Sequence, residues 1–93
     1  SVMDINYSRL PGYMQDGMRL YVERGIEPGS FLAAVLSNDL MEALRRGDDV
    51  NQRSLRDYGM FLYNEAPCGC FGSVENYRSW IKHGGLAGYA EDA

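Results

Sequence analysis

Apolar residues recur at steps of three and four along most of the chain, and glycine and proline divide this pattern into four segments. The first segment runs from about Pro11 to Arg24. Pro11 suits the first position of a helix, and Gly25 suits a left-handed cap at its end. The apolar side of this segment consists of Leu10, Met14, Met18, Tyr21 and Val22. The spacing therefore predicts a helix over 11–24.

The second segment begins with Glu27-Pro28-Gly29-Ser30, continues to Arg46 and carries the most regular apolar stripe of the chain. Four leucines recur there at four-residue steps, and two further apolar residues widen the stripe. The leucines are Leu32, Leu36, Leu40 and Leu44, and the flanking residues are Val35 and Ala43. Since Gly47 suits a stop, the pattern predicts one helix over 30–46 with all four leucines on its buried side.

Two further helices are predicted in the second half of the chain. A helix from about Asn51 to Glu65 follows a polar connection that can supply its N-cap, and Pro67 ends it. Ser73 caps the last helix, which runs to about Lys82. The residues predicted to face inward are Leu55, Tyr58, Phe61 and Leu62 in the third helix, and Val74, Tyr77, Trp80 and Ile81 in the fourth.

No stretch alternates apolar and polar residues with the period of two that a half-buried strand needs. The chain has 93 residues, of which 45% are apolar, and this is enough for one small core. We therefore expect an all-α fold, a small bundle of about four helices without a sheet. Its predicted parts are an N-terminal extension over 1–10, a helical domain over 11–84 and a loose acidic C-terminal tail over 85–93.

Charge and hydropathy narrow the classes of function. Thirteen acidic and nine basic residues give a net charge of −4, which disfavours generic binding to nucleic acid. The chain has no apolar run of the length that a bilayer requires, and its first residues lack the basic start and apolar stretch of a signal peptide. We therefore expect a soluble cytoplasmic protein that binds neither membranes nor nucleic acid in general.

The residues that catalysis needs do not assemble in the sequence. The only pairing of a nucleophile with a base is Cys68 or Cys70 with His83, and the fourth helix separates them by about 15 Å at its rise of 1.5 Å per residue. These three side chains also fall short of the four ligands of a zinc site. We therefore expect no catalytic residues, no metal and no cofactor, and we interpret the two cysteines as part of a tight turn with reduced thiols.

Arginine and the aromatic residues favour a role in recognition. Eight of the nine basic residues are arginine, and the chain contains seven tyrosines and one tryptophan. Arginine, tyrosine and tryptophan are enriched at protein interfaces and among the residues that contribute most to binding. A small bundle also uses tyrosine at the edge of its own core, and we expect that role for Tyr21 and Tyr58.

Two polar pairs, Asn38-Asp39 and Asn64-Glu65, interrupt apolar stretches. Asparagine is a weak helix former, so its position within a leucine stripe needs a reason. One reason is capping, in which Asp39 starts a second half-helix after a kink near Ser37 and Asn64 closes the third helix. The other reason is contact with a partner. On that hypothesis the partner-binding residues are Asn38, Asp39, Tyr63, Asn64 and Glu65.

Four stretches carry a resemblance to a known family. They are Tyr21-Val22-Glu23-Arg24-Gly25-Ile26-Glu27-Pro28-Gly29-Ser30-Phe31-Leu32, Ala34-Val35-Leu36-Ser37-Asn38-Asp39-Leu40, Leu62-Tyr63-Asn64-Glu65-Ala66-Pro67 and Gly72-Ser73. Together with the residues between and after them, over roughly 10–82, the chain resembles a family of small proteins encoded by bacteriophages and prophages. The resemblance brings no activity with it and implies a setting, the cytoplasm of an infected bacterium. Proteins of this size and acidity from such genomes often bind a host defence or regulatory complex, and anti-CRISPR proteins are one such class.

These observations favour a non-enzymatic phage accessory protein that binds and inhibits or modulates a bacterial protein complex, with a defence system such as CRISPR-Cas as one candidate. The alternative is an oligomeric binder of a small signalling nucleotide, which would use arginines and a helix N-terminus such as the one after Pro28. A small metal or thiol enzyme is the third hypothesis. We also expect a homodimer, because the chain has more large side chains than one thin core can bury.

Overall fold

The computed structural model of the chain describes residues 4–92, which form an all-α fold with principal extents of 40 × 25 × 19 Å. The predicted fold class is confirmed, whereas the expected number of about four helices is wrong, since the described residues form seven. None of these helices is long and apolar enough to span a bilayer. The helices are α1 (Gly12–Arg24), α2 (Ser30–Leu36), α3 (Leu40–Arg46), α4 (Asp49–Arg53), α5 (Leu55–Asn64), α6 (Val74–His83) and α7 (Gly85–Asp92).

The first predicted helix is confirmed as α1. It ends at Gly25, which has the left-handed φ of 66° expected for a glycine cap. Three residues of its predicted apolar side, Met18, Tyr21 and Val22, are fully buried. α1 therefore forms one wall of the core.

The second predicted helix is wrong as a single element, because the chain turns a corner between α2 and α3. Asn38 has a left-handed φ of 64°. Its N–H donates to the carbonyl of Val35 at 3.1 Å, and the N–H of Asp39 donates to the carbonyl of Ala34 at 2.9 Å. These two bonds form a Schellman motif, in which asparagine takes the position that glycine usually occupies. The expected kink near Ser37 is thus present as a complete helix end.

This corner turns half of the leucine stripe away from the core. Leu32 and Leu36 are buried as predicted, whereas Leu40 is 62% exposed and Leu44 is 39% exposed. The prediction that all four leucines lie on a buried side is therefore wrong. The physical reason is that three non-helical residues reset the rotation of the next helix, so that a four-residue spacing no longer keeps one side facing inward. In α3 only Ala43 remains in the core.

The third predicted helix begins earlier than expected and is divided at Ser54 into α4 and α5. The polar connection supplies an N-cap as predicted, since Asp48 Oδ1 accepts the N–H of Asn51 at 2.8 Å. The buried face of α5 is confirmed for Tyr58, Phe61 and Leu62. Leu55, at the start of α5, is only partly buried.

The fourth predicted helix is confirmed as α6. Ser73 caps it by accepting the N–H of Asn76 at 3.0 Å, and Gly84 ends it with a left-handed φ of 80°. Trp80 is buried as predicted, but Val74 is exposed, so its predicted inward position is wrong. Val74 is the first residue of α6 and lies before the part of the helix that packs on the core.

The expectation of a loose C-terminal tail is also wrong for the described residues, because 85–92 form α7; residue 93 lies outside them. α7 packs against α1 and α6. Leu86 and Tyr89 are one turn apart and give this short helix an apolar side. The Tyr89 ring lies 5.2 Å from the Trp80 ring, so the end of the chain covers part of the core.

The predicted N-terminal extension is described from residue 4, and its residues 1–3 lie outside the described range. Leu10 is buried, and the Tyr7 ring packs 5.3 Å from the Phe61 ring. The Tyr7 hydroxyl donates to the carboxylate of Glu23 at 3.0 Å. The described part of this segment therefore contributes to the core of the helical domain.

Polar groups inside the core are hydrogen-bonded to other groups of the protein. The Tyr21 hydroxyl donates to the carbonyl of Cys70 at 2.6 Å, and the Trp80 Nε1–H donates to the carbonyls of Tyr21 and Val22, each at 3.1 Å. Tyr21 and Tyr58 are fully buried, so their predicted place at the core edge is wrong. The turn predicted at the cysteines is confirmed, with Cys68 exposed and Cys70 buried, both as free thiols.

Candidate functional site

A cleft of about 460 Å³ opens between the α2–α3 corner, α5 and the loop before α6. We call it the α3–α5 cleft. Clefts of about 300–1,000 Å³ are typical of ligand-binding sites in proteins. Its lining residues are Val35, Asn38, Asp39, Leu40, Ala43, Leu55, Tyr58, Gly59, Leu62, Tyr63, Phe71 and Gly72.

The shape of the cleft depends on a glycine in α5 and on the corner between α2 and α3. Gly59 lies in the middle of α5, and no atom lies within 4 Å of the position that a Cβ on it would occupy. The α5 wall is therefore open at this point. On the opposite side the corner at Asn38 sets the direction of α3, so that Leu40 lines the cleft and is exposed.

The floor of the cleft is fixed by Tyr58. Its hydroxyl donates to Asn51 Oδ1 at 2.6 Å, and its ring packs edge to face on Phe31 with 5.1 Å between ring centroids. Burial raises the pKa of the Tyr58 hydroxyl well above its usual range, with smaller contributions from Tyr13 and Asp48. Since the phenol proton is already donated inside the protein, Tyr58 lies buried beneath the cleft as a neutral side chain.

The rim carries the polar groups of the cleft. Asp39 is exposed, and its Oδ1 accepts the N–H of Glu42 at 3.1 Å, which confirms the predicted cap at the start of α3. The two basic residues of α3 pair with Glu42 instead. Arg45 lies 2.7 Å and Arg46 lies 3.9 Å from the Glu42 carboxylate. Asp39 is the only carboxylate among the lining residues, which include no lysine, arginine or histidine.

Large apolar side chains are exposed on both helices that form the cleft. Tyr63 is 83% exposed on α5 and Met41 is 73% exposed on α3, in addition to Leu40. Met41 and Leu44 also line a shallower depression on the other side of α3, with Glu42 and Arg45. Large apolar side chains gathered at one place on a surface mark interaction sites, whereas single ones do not. α3 therefore exposes apolar side chains both inside the cleft and beside it.

Three of the five predicted partner-binding residues, Asn38, Asp39 and Tyr63, line the α3–α5 cleft together. The other two do not. Asn64 is exposed at the end of α5 and is not a lining residue. Glu65 Oε1 accepts the N–H of Asn6 at 3.2 Å and thereby holds the N-terminal segment.

The sequence pattern does not predict three of the residues that line the cleft. It places Leu40 in the core and indicates no role for Gly59 or Phe71. The available signal was Gly59 itself, because a glycine in a helix interior is costly and marks a place where a side chain is unwanted.

The thiols and the histidine do not form a second site with the cleft. Burial raises the pKa of the Cys70 thiol to about 12, with a smaller contribution from Cys68. The His83 ring stacks on Tyr89 at 4.8 Å, and its Nδ1 lies 2.8 Å from the Ser79 carbonyl oxygen. Within residues 4–92 no three histidine, cysteine or acidic side chains lie close enough to hold a metal ion together.

Comparison of the chain with models of protein families, with curated proteins and with solved structures gave no match. The resemblance to phage-encoded proteins therefore stays a prediction from the quoted residues.

Proposed function

We propose that this chain is a non-enzymatic binding protein that holds a segment of a partner protein in the α3–α5 cleft. The observation that carries the proposal is the exposure of Leu40 and Tyr63 on opposite walls of an apolar cleft. Burying a large apolar side chain is worth about 1.5–3 kcal/mol, so covering these walls stabilises a complex. The same residues contribute little to the fold, because they are exposed in it.

A protein segment fits this site better than a small molecule does. Leu40 and Tyr63 line the cleft, yet 62% and 83% of their surfaces stay exposed, so much of each side chain lies at its open edge. A small ligand would leave them in water, whereas a helix or extended segment would cover them as well. Tyrosine at such a position loses little conformational entropy on binding and often contributes most to interface energy.

The partner that we propose is a component of a bacterial protein complex, acted on by inhibition or modulation. The phage resemblance of the sequence supports this setting, and a defence system such as CRISPR-Cas is one candidate. The nucleotide-binding alternative receives no support from the cleft, because no arginine or lysine lines it and phosphate groups need such donors. The helix after Pro28, which that alternative invoked, is the seven-residue α2.

The decisive experiment uses Gly59→Leu, which places a side chain inside the cleft without entering the core. The position is open, and leucine is a better helix former than glycine by up to about 1 kcal/mol, so the variant should unfold no more easily than the wild type. Gly12→Leu is the matched control, since Gly12 is also helical, is equally open and does not line the cleft.

Tagged wild-type protein and both variants would be incubated with bacterial lysate, and bound proteins quantified by mass spectrometry. We expect a partner that is retained by the wild type and by Gly12→Leu and is lost, about tenfold or more, with Gly59→Leu. Tyr63→Ala should weaken the same partner without changing the thermal midpoint. Equal retention by Gly59→Leu would show that the cleft is not the binding site and would overturn the proposal.

A further inference from the structure

We propose that the segment bound in the α3–α5 cleft is basic as well as apolar, and that Asp39 forms an ion pair with a lysine or arginine of that segment. This inference rests on the proposed function and adds the chemistry of the partner. The occupant is therefore an amphipathic segment whose apolar side chains enter the cleft and whose cationic side chain lies at the rim.

The first argument is the state of the Asp39 carboxylate. One of its oxygens accepts the N–H of Glu42, and the cap leaves the second oxygen available. No ion pair to Asp39 occurs within residues 4–92, although four such pairs join other residues there. Both arginines of α3 pair with Glu42, so neither of them pairs with Asp39 at the mouth of the cleft.

The second argument is charge complementarity over the whole cleft. Every other lining residue is uncharged, and the walls are mostly apolar. A segment that covers the apolar walls would also exclude water from the rim, and an ion pair to Asp39 would then be stronger than one in open water, because the local dielectric would be lower. An acidic segment would be repelled by the Asp39 carboxylate and also by the net charge of −4 on the protein.

The third argument is that a basic side chain suits the apolar rim. The carbon stems of lysine and arginine lie along apolar surfaces while their charged ends reach a carboxylate. Leu40 follows Asp39 in the chain and is exposed on the same wall. Asn38, which precedes Asp39, has an exposed amide that can donate to or accept from the backbone of a bound segment.

The test uses two labelled model peptides with the same leucine face. One carries lysine and the other glutamate on its polar face, and binding is followed by fluorescence anisotropy. We expect the lysine peptide to bind the wild-type protein about tenfold or more tightly than the glutamate peptide. Its affinity should fall when the salt is raised from about 0.01 M to about 0.15 M, because the Debye length shortens from about 30 Å to about 8 Å.

The variant Asp39→Asn tests whether this carboxylate itself binds the lysine peptide, or whether the net negative charge of the protein attracts the peptide. Asparagine is as good an N-cap as aspartate, so the start of α3 is retained while one charge is removed. Asp16→Asn is the control of equal charge, because Asp16 is exposed on α1 and does not line the cleft. We expect Asp39→Asn to weaken the lysine peptide by about threefold or more and Asp16→Asn to leave its affinity within a factor of about 1.5.

Equal effects of the two variants, or none from Asp39→Asn, would overturn the ion pair. That result is distinguishable from failure of the proposed function through Gly59→Leu. If Gly59→Leu prevents binding of both peptides but Asp39→Asn has no effect, the cleft binds apolar segments without regard to charge. If neither Gly59→Leu nor Asp39→Asn has an effect, the peptides bind elsewhere and both proposals fail.

Discussion

Gly25 and Gly85 meet backbone to backbone, with no room for a side chain on either residue. A Cβ on Gly25 would lie 2.6 Å from the backbone nitrogen of Gly85, and a Cβ on Gly85 would lie 2.5 Å from the backbone nitrogen of Gly25. Both residues also have left-handed φ values, 66° and 65°. The cap of α1 and the start of α7 are therefore joined at a contact that only glycine allows.

Gly25→Ala and Gly85→Ala should each destabilise the protein by about 2–4 kcal/mol. The strained φ contributes about 1–2 kcal/mol, and separation of the two backbones adds the remainder. Chemical unfolding with urea would measure the loss. Gly12→Ala is the control, because a Cβ there meets nothing within 4 Å and Gly12 lies within α1 without a left-handed φ. A loss below about 0.5 kcal/mol for Gly85→Ala would contradict the described packing of α7.

Two leucines of the same sequence stripe should respond differently to truncation. Leu36→Ala should cost about 2–5 kcal/mol, since Leu36 is fully buried and its loss leaves a cavity. Leu40→Ala should change the free energy of unfolding by no more than about 0.5 kcal/mol, because most of the side chain is already in water. Thermal or urea unfolding of both variants measures the difference. Similar losses would mean that 30–46 is one continuous helix after all.

The hydrogen bond between Tyr13 and Asp48 should make stability depend on pH in the acid range. The Tyr13 hydroxyl donates to Asp48 Oδ2 at 2.5 Å, and this bond, followed by the N–H of Asn51, lowers the pKa of the Asp48 carboxyl. A carboxyl whose pKa is lower in the folded protein stabilises it above the unfolded value, near 3.8. That contribution is lost as the pH falls through the lowered pKa.

Tyr13→Phe should therefore raise the Asp48 pKa toward its ordinary value and flatten the acid part of the stability profile. The Asp48 carboxyl can be followed directly by NMR titration, with urea unfolding midpoints recorded over the same range. Tyr63→Phe is the control, since Tyr63 lies in the cleft on α5 and donates no hydrogen bond to Asp48. An Asp48 titration that does not change in Tyr13→Phe would show that the hydroxyl has no influence on it.

The two thiols should differ in reactivity although one residue separates them. Cys68 is exposed, whereas Cys70 is buried with a pKa raised to about 12. Only the thiolate reacts with iodoacetamide, so at about pH 8 the folded protein should be alkylated at Cys68 alone. Mass spectrometry of the digested protein, with and without guanidinium, locates the label. Rapid labelling of Cys70 in the folded protein would contradict its burial.

The elements that local chemistry specifies could be predicted from the sequence. Gly25, Ser73 and Gly84 end or begin helices where expected, because caps depend on the residue itself. The complete helix end at Asn38 could not be predicted, because the four-residue leucine spacing continues through it. Hydrophobic periodicity does not show where a chain changes direction. Formation of α7 depends on contacts with α1, which lies far from it in the sequence, and local patterns do not show such contacts.

Some residues of the candidate site could likewise be predicted from local patterns, and others could not. Asn38, Asp39 and Tyr63 were found because polar or aromatic residues in an apolar stretch stand out as a local pattern. Leu40 could not be found, because a leucine is assigned to the core by default. Gly59 gives a signal as a glycine inside a helix, but the sequence does not show which element lies opposite it. A concave surface is a property of two elements together and has no signature in either one.

The corner at Asn38 also separates two kinds of constraint on the sequence. Substitutions at Leu36 or Ala43 act on folding, whereas those at Leu40, Met41 and Leu44 alter only the exposed surface of α3. α3 is short and packs mainly on α2, so its outer positions can be exchanged at little cost in stability. If the proposed partner binds at this surface, single substitutions on this one helix change which partner is bound while the core stays the same.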